Sequence, residues 1–425
     1  MRPLHAVLVE HTTARLTELL AAALDGSGPA ILPVAARLPA ARLTELISAF
    51  GPGTIEDAGG VTTIRSAQEK TVAEGTAVIV STSGSTGLPK GVELSAAALV
   101  HSARASLARI GARPGERWLC CLPTTHIAGI QVLVRSLVSG TEPVLAERAD
   151  AETLAASGCA HISLVPTQLR RLLRLPSVDI PTSQDCPQSD ISTPFAGFSS
   201  VLLGGAAAPQ SLLDAARAAS VPVVTTYGMT ETCGGCVYDG RPLDGVRIAI
   251  RDDDADPASD SPDPASGRIW IGGPVLFSGY WPAGPVLTTP FFRTGDLGKV
   301  DASGRLIVRG RADDVINTGG HKVIPGEVAA ALESCPGVRD VAVVGQPDPE
   351  WGERVIAVVV PDDAANPPRL ELLRLHVRER LPRYAAPSRV VVVDAVPMLP
   401  SGKHDIARLK LDLLRREQTE AENVS

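Results

Sequence analysis

The chain has 425 residues, too many for one ordinary core, and two or three domains are expected. With 44% hydrophobic and 20% charged residues it reads as a globular protein, which excludes disorder throughout. A net charge of -7 and the lack of a basic stripe with interleaved aromatics argue against a nucleic-acid partner. A polyanionic ligand would need cations placed locally.

In chain order, the opening MRPLHAVLVEHTTARL carries charges and histidines within its apolar stretch and no small-residue cleavage pattern. It is not read as a signal peptide. No apolar run approaches the ~18 residues of a membrane span. Residues 12–24 have apolar positions at helical spacing behind threonines and predict a helix. Short apolar runs at 76–81, 117–122, 161–165 and 200–203 predict buried strands. Helices are predicted from Ser95, a good N-cap, to about Ile110, and over 209–220. Alternating strand and helix argues for an α/β fold with mainly parallel sheets. The stretches 176–194 and 252–266 are polar, rich in proline or acid, and read as linkers. Past Gly310 the order becomes helix (325–334), strand (338–344), strand (353–361), helix (369–381) and strand (388–394). The expected division is a large N-terminal α/β domain over 1–311 and a small mobile α+β domain over 312–425. The charged turn GRADD at 310–314 lies between them.

The chemistry is concentrated in STSGSTGLPKG, Ser81 to Gly91. Thr82, Ser83, Gly84, Ser85, Thr86 and Gly87 offer backbone N–H groups and hydroxyls that can wrap phosphate oxygens, and Lys90 adds a mobile cation. The loop is placed between the strand 76–81 and a following helix, as phosphate loops commonly are. It is not a Walker A loop. Counted from Gly84, Pro89 stands where the second glycine belongs and Gly91 where the Mg²⁺-binding hydroxyl belongs. A serine-rich surface turn is the plainer alternative.

Thr82 to Gly91 resembles, at every position, the phosphate loop of the adenylate-forming superfamily: acyl–CoA synthetases, peptide-synthetase adenylation domains and luciferases. Later motifs of that superfamily follow in order. TYGMTET at 226–232 resembles its Y-G-x-T-E. The resemblance implies Tyr227 beside adenine, Gly228 and Met229 in the ATP site, and Thr230 at the α-phosphate. It implies Glu231 holding Mg²⁺ together with phosphate oxygens, a hard-oxygen set that suits this ion. RTGDLG at 293–298 resembles the ribose motif, with Asp296 accepting from the ribose hydroxyls. Over 310–332 the resemblance gives Arg311 a nucleotide contact, makes Asp313 the hinge of the small domain, and puts Gly319 and Gly320 along a pantetheine tunnel. LPSGKHD at 399–405 resembles the last motif, whose lysine is catalytic for the first half-reaction; here it is Lys403. His126, in LPTTHIAG, falls where the superfamily shapes and gates the acyl pocket, and Gly204, Gly205 and Ala206 would form its floor. Each has a plainer reading alone, as a turn, a packing histidine or a surface lysine. The ordered set favours the site.

Cys233-Gly234-Gly235-Cys236 is a C-x-x-C, but structural zinc needs four ligands and no second pair has a suitable spacing. The loop, with Gly234 and Gly235, is placed against the acyl group instead. The seven cysteines are an odd count without a framework spacing and read as reduced thiols in a cytoplasmic protein.

The resemblance implies an ATP-dependent acid–CoA ligase acting through an acyl-adenylate, with ATP, coenzyme A and a small carboxylic acid as its partners and Mg²⁺ as its cation. LPTTHIAGIQVLVRSL (122–137) and TYGMTETCGGCVYDGRPLDGV (226–246) more closely resemble the o-succinylbenzoate–CoA ligases of menaquinone biosynthesis. The second carboxylate of that keto diacid needs buried donors, for which His126 and Arg135 are candidates. Arg135 could equally face solvent from its helix. Another aryl or short-chain acyl-CoA synthetase, a free-standing adenylation domain and a non-catalytic nucleotide sensor stay open as alternatives. So does a homodimer.

Overall fold

The computed structural model describes residues 1–10, 14–64, 70–83, 89–173, 193–252, 266–284, 289–398 and 404–422. The linker readings at 176–194 and 252–266 lie almost wholly outside these. The first 95 residues and one later strand build an eight-stranded sheet. Its strands are β1 (Arg2–Val9), β2 (Ala30–Ala35), β3 (Thr54–Asp57), β4 (Gly60–Thr63), β5 (Thr71–Val72), β6 (Thr76–Ser83) and β7 (Pro89–Ser95). The inner strands β3, β1, β2 and β6 run parallel, whereas β4, β5 and β7 join antiparallel. Helices α1 (Ala14–Asp25), α2 (Ala40–Phe50) and α3 (Ala96–Arg109) flank it. The helix expected at 12–24 is α1. The helix expected from Ser95 is α3, and the Ser95 hydroxyl accepts from Ala98 N at 3.1 Å, as an N-cap should.

The second sheet is β8 (Trp118–Cys120), β9 (Val144–Leu145), β10 (His161–Leu164), β11 (Ser200–Leu203), β12 (Val223–Met229), β13 (Gly234–Tyr238) and β14 (Arg241–Pro242). Its order is β14-β13-β12-β11-β10-β8-β9. It is parallel from β9 to β12 and antiparallel beyond. Its connecting helices are α4 (Ile127–Val138), α5 (Ala151–Ala156), α6 (Pro166–Leu172) and α7 (Gln210–Ala218). The four buried runs read from the sequence are β6, β8, β10 and β11. Of these, β8, β10 and β11 are buried along their whole length, as strands of a parallel sheet covered on both faces are.

The third sheet departs from the parallel expectation. It is a four-stranded antiparallel unit, β15 (Arg247–Arg251), β16 (Gly267–Gly272), β18 (Phe291–Val300) and β19 (Leu306–Arg311). Between its strands, β17 (Gly279–Trp281) leaves to pair with β7 at the edge of the first sheet. Gly91 permits that approach: a Cβ there would lie 2.7 Å from Ile79 and 3.2 Å from Trp281. A core of Val78, Leu99, Trp118, Tyr238, Ile271 and Phe277 joins the three sheets.

The last unit has its own core, centred on Val328, Leu332, Val341, Ala357 and Val377. Its strands are β20 (Ile316–Thr318), β21 (His321–Val323), β22 (Val338–Asp348), β23 (Gly352–Pro361) and β24 (Arg389–Val392). Its helices are α8 (Pro325–Glu333), α9 (Leu370–Arg378) and α10 (Ile406–Glu422), with Pro325 opening α8 at a position suited to proline. The β20–β21 hairpin and α10 were not read from the sequence. Among the described residues, no helix is long and apolar enough to cross a membrane.

Candidate active site

The phosphate-loop motif is not followed directly by a helix. It joins two antiparallel strands: Thr82 pairs with Lys90 and Ser83 with Pro89, and α3 begins only after Ser95. This corrects the strand-to-helix placement expected from the sequence. Gly84, Ser85, Thr86 and Gly87 lie outside the described residues. At the base of the loop the Thr82 hydroxyl donates to Lys90 O at 3.2 Å. Lys90 then turns its ammonium onto the ring of Tyr280 in β17, 3.1 Å from the centroid.

The TYGMTET stretch closes β12 and makes a single tight turn at Thr230–Thr232. The Thr232 hydroxyl holds the turn, accepting from Met229 N at 2.9 Å and donating to Gly234 O at 2.7 Å. Gly228 must be glycine, since a Cβ would lie 2.0 Å from Gly234 O. Glu231 is thereby aimed at the first sheet, where it accepts from the Tyr280 hydroxyl at 2.9 Å through Oε1. Its other oxygen has no partner among the described residues. Tyr227, four residues earlier within β12, donates to Asp296 at 2.7 Å. Burial, and then the Asp296 charge, pushes the Tyr227 phenol up, which keeps it a donor. Asp296 sits opposite Arg311, with 3.6 Å between their charged atoms, and Arg311 lies 3.5 Å from Asp313. The ribose-motif aspartate is thus buried yet paired, as a carboxylate in such a place must be.

His126 is the first residue before α4, at the carboxyl end of β8. Its imidazole reaches solvent, yet the protein crowded around it lowers its pKa and favours the neutral ring. Gly234 faces the same helix start: a Cβ there would meet Gln131 and Ile127. Gly204 and Gly235 close on Thr226 from either side, and a Cβ on Gly204 would fall 2.2 Å from its hydroxyl. Gly205 has φ +83, which a side chain would strain, and Ala206 follows it. So His126, Gly204, Gly205, Ala206, Gly234 and Gly235 gather at the carboxyl ends of β8, β11 and β12, where ligands bind in open α/β sheets.

Arg135 lies further along α4. It is 5% exposed, lies over Trp118 at 4.9 Å and reaches Ser163 at 3.4 Å. Trp118 opens β8, and nine residues of α4 separate Arg135 from His126, roughly 13 Å of helix. Arg135 is therefore not a solvated residue: it is buried between Trp118 and Ser163, the latter one residue from the carboxyl end of β10. The C-x-x-C cysteines are structural. Both are fully buried in the central core, and burial raises both thiols, Cys236 to about 12. Among the described residues every cysteine is free and no cluster of ligands could hold a metal.

Gly319 and Gly320 form the two-residue turn of the β20–β21 hairpin with φ of 55 and 79°, the positive pair such turns require. A Cβ on Gly319 would strike Trp351. Lys403 lies outside the described residues; the flanking Met398 and His404 pair with each other, and His404 reaches Asp340 at 3.3 Å. Tyr280 is the site residue that sequence reading missed. No motif spacing connects it to Glu231 and Lys90; only its strand's return to the first sheet does.

The AMP-binding enzyme family matches residues 6–281, and its C-terminal domain family matches 327–403. A probable 2-succinylbenzoate–CoA ligase of Mycobacterium tuberculosis is 40% identical over 96% of this chain and 97% of its own length. A 2-succinylbenzoate–CoA ligase of Bacillus velezensis is 33% identical over 80% of this chain and 69% of its own. Among solved structures, o-succinylbenzoate CoA synthetase from Bacillus subtilis, in complex with its acyl-adenylate intermediate, superposes with a TM-score of 0.76. It is 28% identical and covers 96% of this chain and 88% of its own.

Proposed function

Because the chain belongs to the AMP-binding enzyme family, we propose that it is an AMP-forming acid–CoA ligase whose acid is 2-succinylbenzoate, with ATP and coenzyme A as co-substrates and Mg²⁺ as cation. One observation carries the acid: the mycobacterial relative is 40% identical over 96% of this chain and 97% of its own length. A cytoplasmic location fits the free thiols.

In the first half-reaction a carboxylate oxygen of the acid attacks the α-phosphorus of ATP. The bond to the pyrophosphate oxygen breaks, giving acyl-AMP and pyrophosphate. In the second, the CoA sulfur attacks the acyl carbon and AMP leaves. We assign Asp296 and Arg311 to the ribose side of the nucleotide, Tyr227 to the adenine, and Thr82, Ser83, Lys90 and Thr230 to the phosphates. Charge grows on the phosphoryl oxygens, so fixed donors and cations do most of the work. The free oxygen of Glu231 is a hard ligand suited to Mg²⁺, which when bound would offset phosphate charge. We assign the glycines at 204, 205, 234 and 235 to the acyl side of the site, with the neutral His126 as a hydrogen-bonding group beside them. Lys403 is assigned to the first transition state.

The test is acid-dependent pyrophosphate exchange and thioester formation with 2-succinylbenzoate, benzoate, salicylate and octanoate. Preference for 2-succinylbenzoate is expected. Equal or better use of benzoate or octanoate defeats the acid assignment and leaves the ligase standing.

A further inference from the structure

Lys90 and Glu231 carry opposite charges, and the reaction needs each for something else: one for phosphate, the other for a cation. Tyr280 stands between them. Its position follows from the register of β17 on β7. Tyr280 is opposite Val92, so Lys90, two residues along, lies on the same face and within diagonal reach. The Lys90 ammonium sits 3.1 Å above the phenol ring while the hydroxyl at the ring's edge donates to Glu231 Oε1 at 2.9 Å. Among the described residues Lys90 makes no ion pair with Glu231. Phe277 fixes the ring from the side, with centroids 4.8 Å apart, and its N–H donates to Glu231 O at 2.9 Å. The 277–280 segment therefore holds Glu231 by both carbonyl and carboxylate. Burial and the Glu231 charge push the phenol up, so it stays a donor.

We propose that Tyr280 is a positioning residue that keeps Lys90 and Glu231 apart before ATP arrives, parking the cation on its ring and orienting the carboxylate so that one oxygen faces the metal. It rests on the reading of this site as an ATP site. Removing the ring would let the two charges collapse into a pair, and ATP would then have to break that pair to bind.

Two variants test this. Tyr280→Phe keeps the ring and removes the donor. It is expected to raise the Mg²⁺ concentration for half-maximal pyrophosphate exchange about tenfold, the cost of one hydrogen bond to a charged acceptor. Metal-free ATP affinity by calorimetry and the Tm should hold. Tyr280→Leu removes both contacts and should weaken metal-free ATP binding about three- to tenfold. Adding Glu231→Gln to it should restore that binding, because Lys90 loses its false partner. An unchanged Mg²⁺ requirement in Tyr280→Phe overturns the proposal, as does failure of Glu231→Gln to relieve Tyr280→Leu. If the leucine variant does not fold, the phenylalanine variant still decides. The calorimetry needs no acid, so a wrong acid assignment leaves this test intact.

Discussion

At the scale of single residues, the motif side chains are held by partners that the motifs do not contain. Tyr227 is read from TYGMTET, but its hydroxyl ends on Asp296, 69 residues later. Lys403 is the residue whose role is most separable. A lysine ammonium is a compact charge on a flexible stem, able to follow carboxylate and phosphate as they react. Lys403→Ala is expected to slow adenylation about 10²–10³-fold, the usual effect of deleting one such contact. Thioester formation from purified acyl-adenylate should stay within a few-fold. Paired single-turnover assays decide; equal losses in both steps would show that Lys403 serves both or neither. Arg135 shows the opposite case. Its helix was legible, but a helical pattern does not say whether a long side chain will face solvent or the core, and this cation is buried over Trp118.

At the scale of elements, local propensity did well. Ser95 capped its helix, and the apolar runs became the inner strands. The failure at the phosphate loop is instructive. A strand followed by serines and glycines suits either a strand-to-helix turn or a hairpin, and the pairing of β6 with β7 chose the hairpin. The helix α3 begins only after Ser95, at the far end of β7. In the small domain the end of α8 carries a buried cost. Burial, then Asp340, pushes the Glu333 carboxyl up to about 7, against the partial relief of Arg170 and His404. A carboxyl raised above its unfolded value of 4.5 leaves stability full below that pH and loses it as pH climbs through about 7. Glu333→Gln should therefore raise Tm by a few degrees at pH 8, where ~1 kcal/mol is worth roughly 2–4 °C for larger domains. Near pH 5 the gap should narrow. A gap that is equal at both pH values, or reversed, would show that Glu333 is not buried as a charge.

At the scale of the whole molecule, the candidate site is a junction. The Tyr227–Asp296 bond ties the second sheet to the third, and the Glu231–Tyr280 bond ties the second to the first. The small unit follows β19 directly, joined across the boundary by the Arg309–Glu327 ion pair. We propose that Asp313, exposed beside Arg311, is the pivot of that unit. Asp313→Pro fixes φ near −65° and should impair thioester formation more than adenylation, because the second step needs the rotation. Measuring both half-reactions in the variant checks it, and equal loss would move the pivot elsewhere. The sequence by itself pointed to the reaction, because its motifs at 82–91, 226–232 and 293–298 are short contiguous runs that can be matched as written. It also determined most helices and inner strands, whose signals are periodic and local. Tertiary structure alone decided that Tyr280 touches both Lys90 and Glu231, that Arg135 is buried over Trp118, and that the cysteine pair is core. Each of these depends on which strand edges and helix ends meet, and contacts between residues tens to hundreds of positions apart leave no local pattern to read.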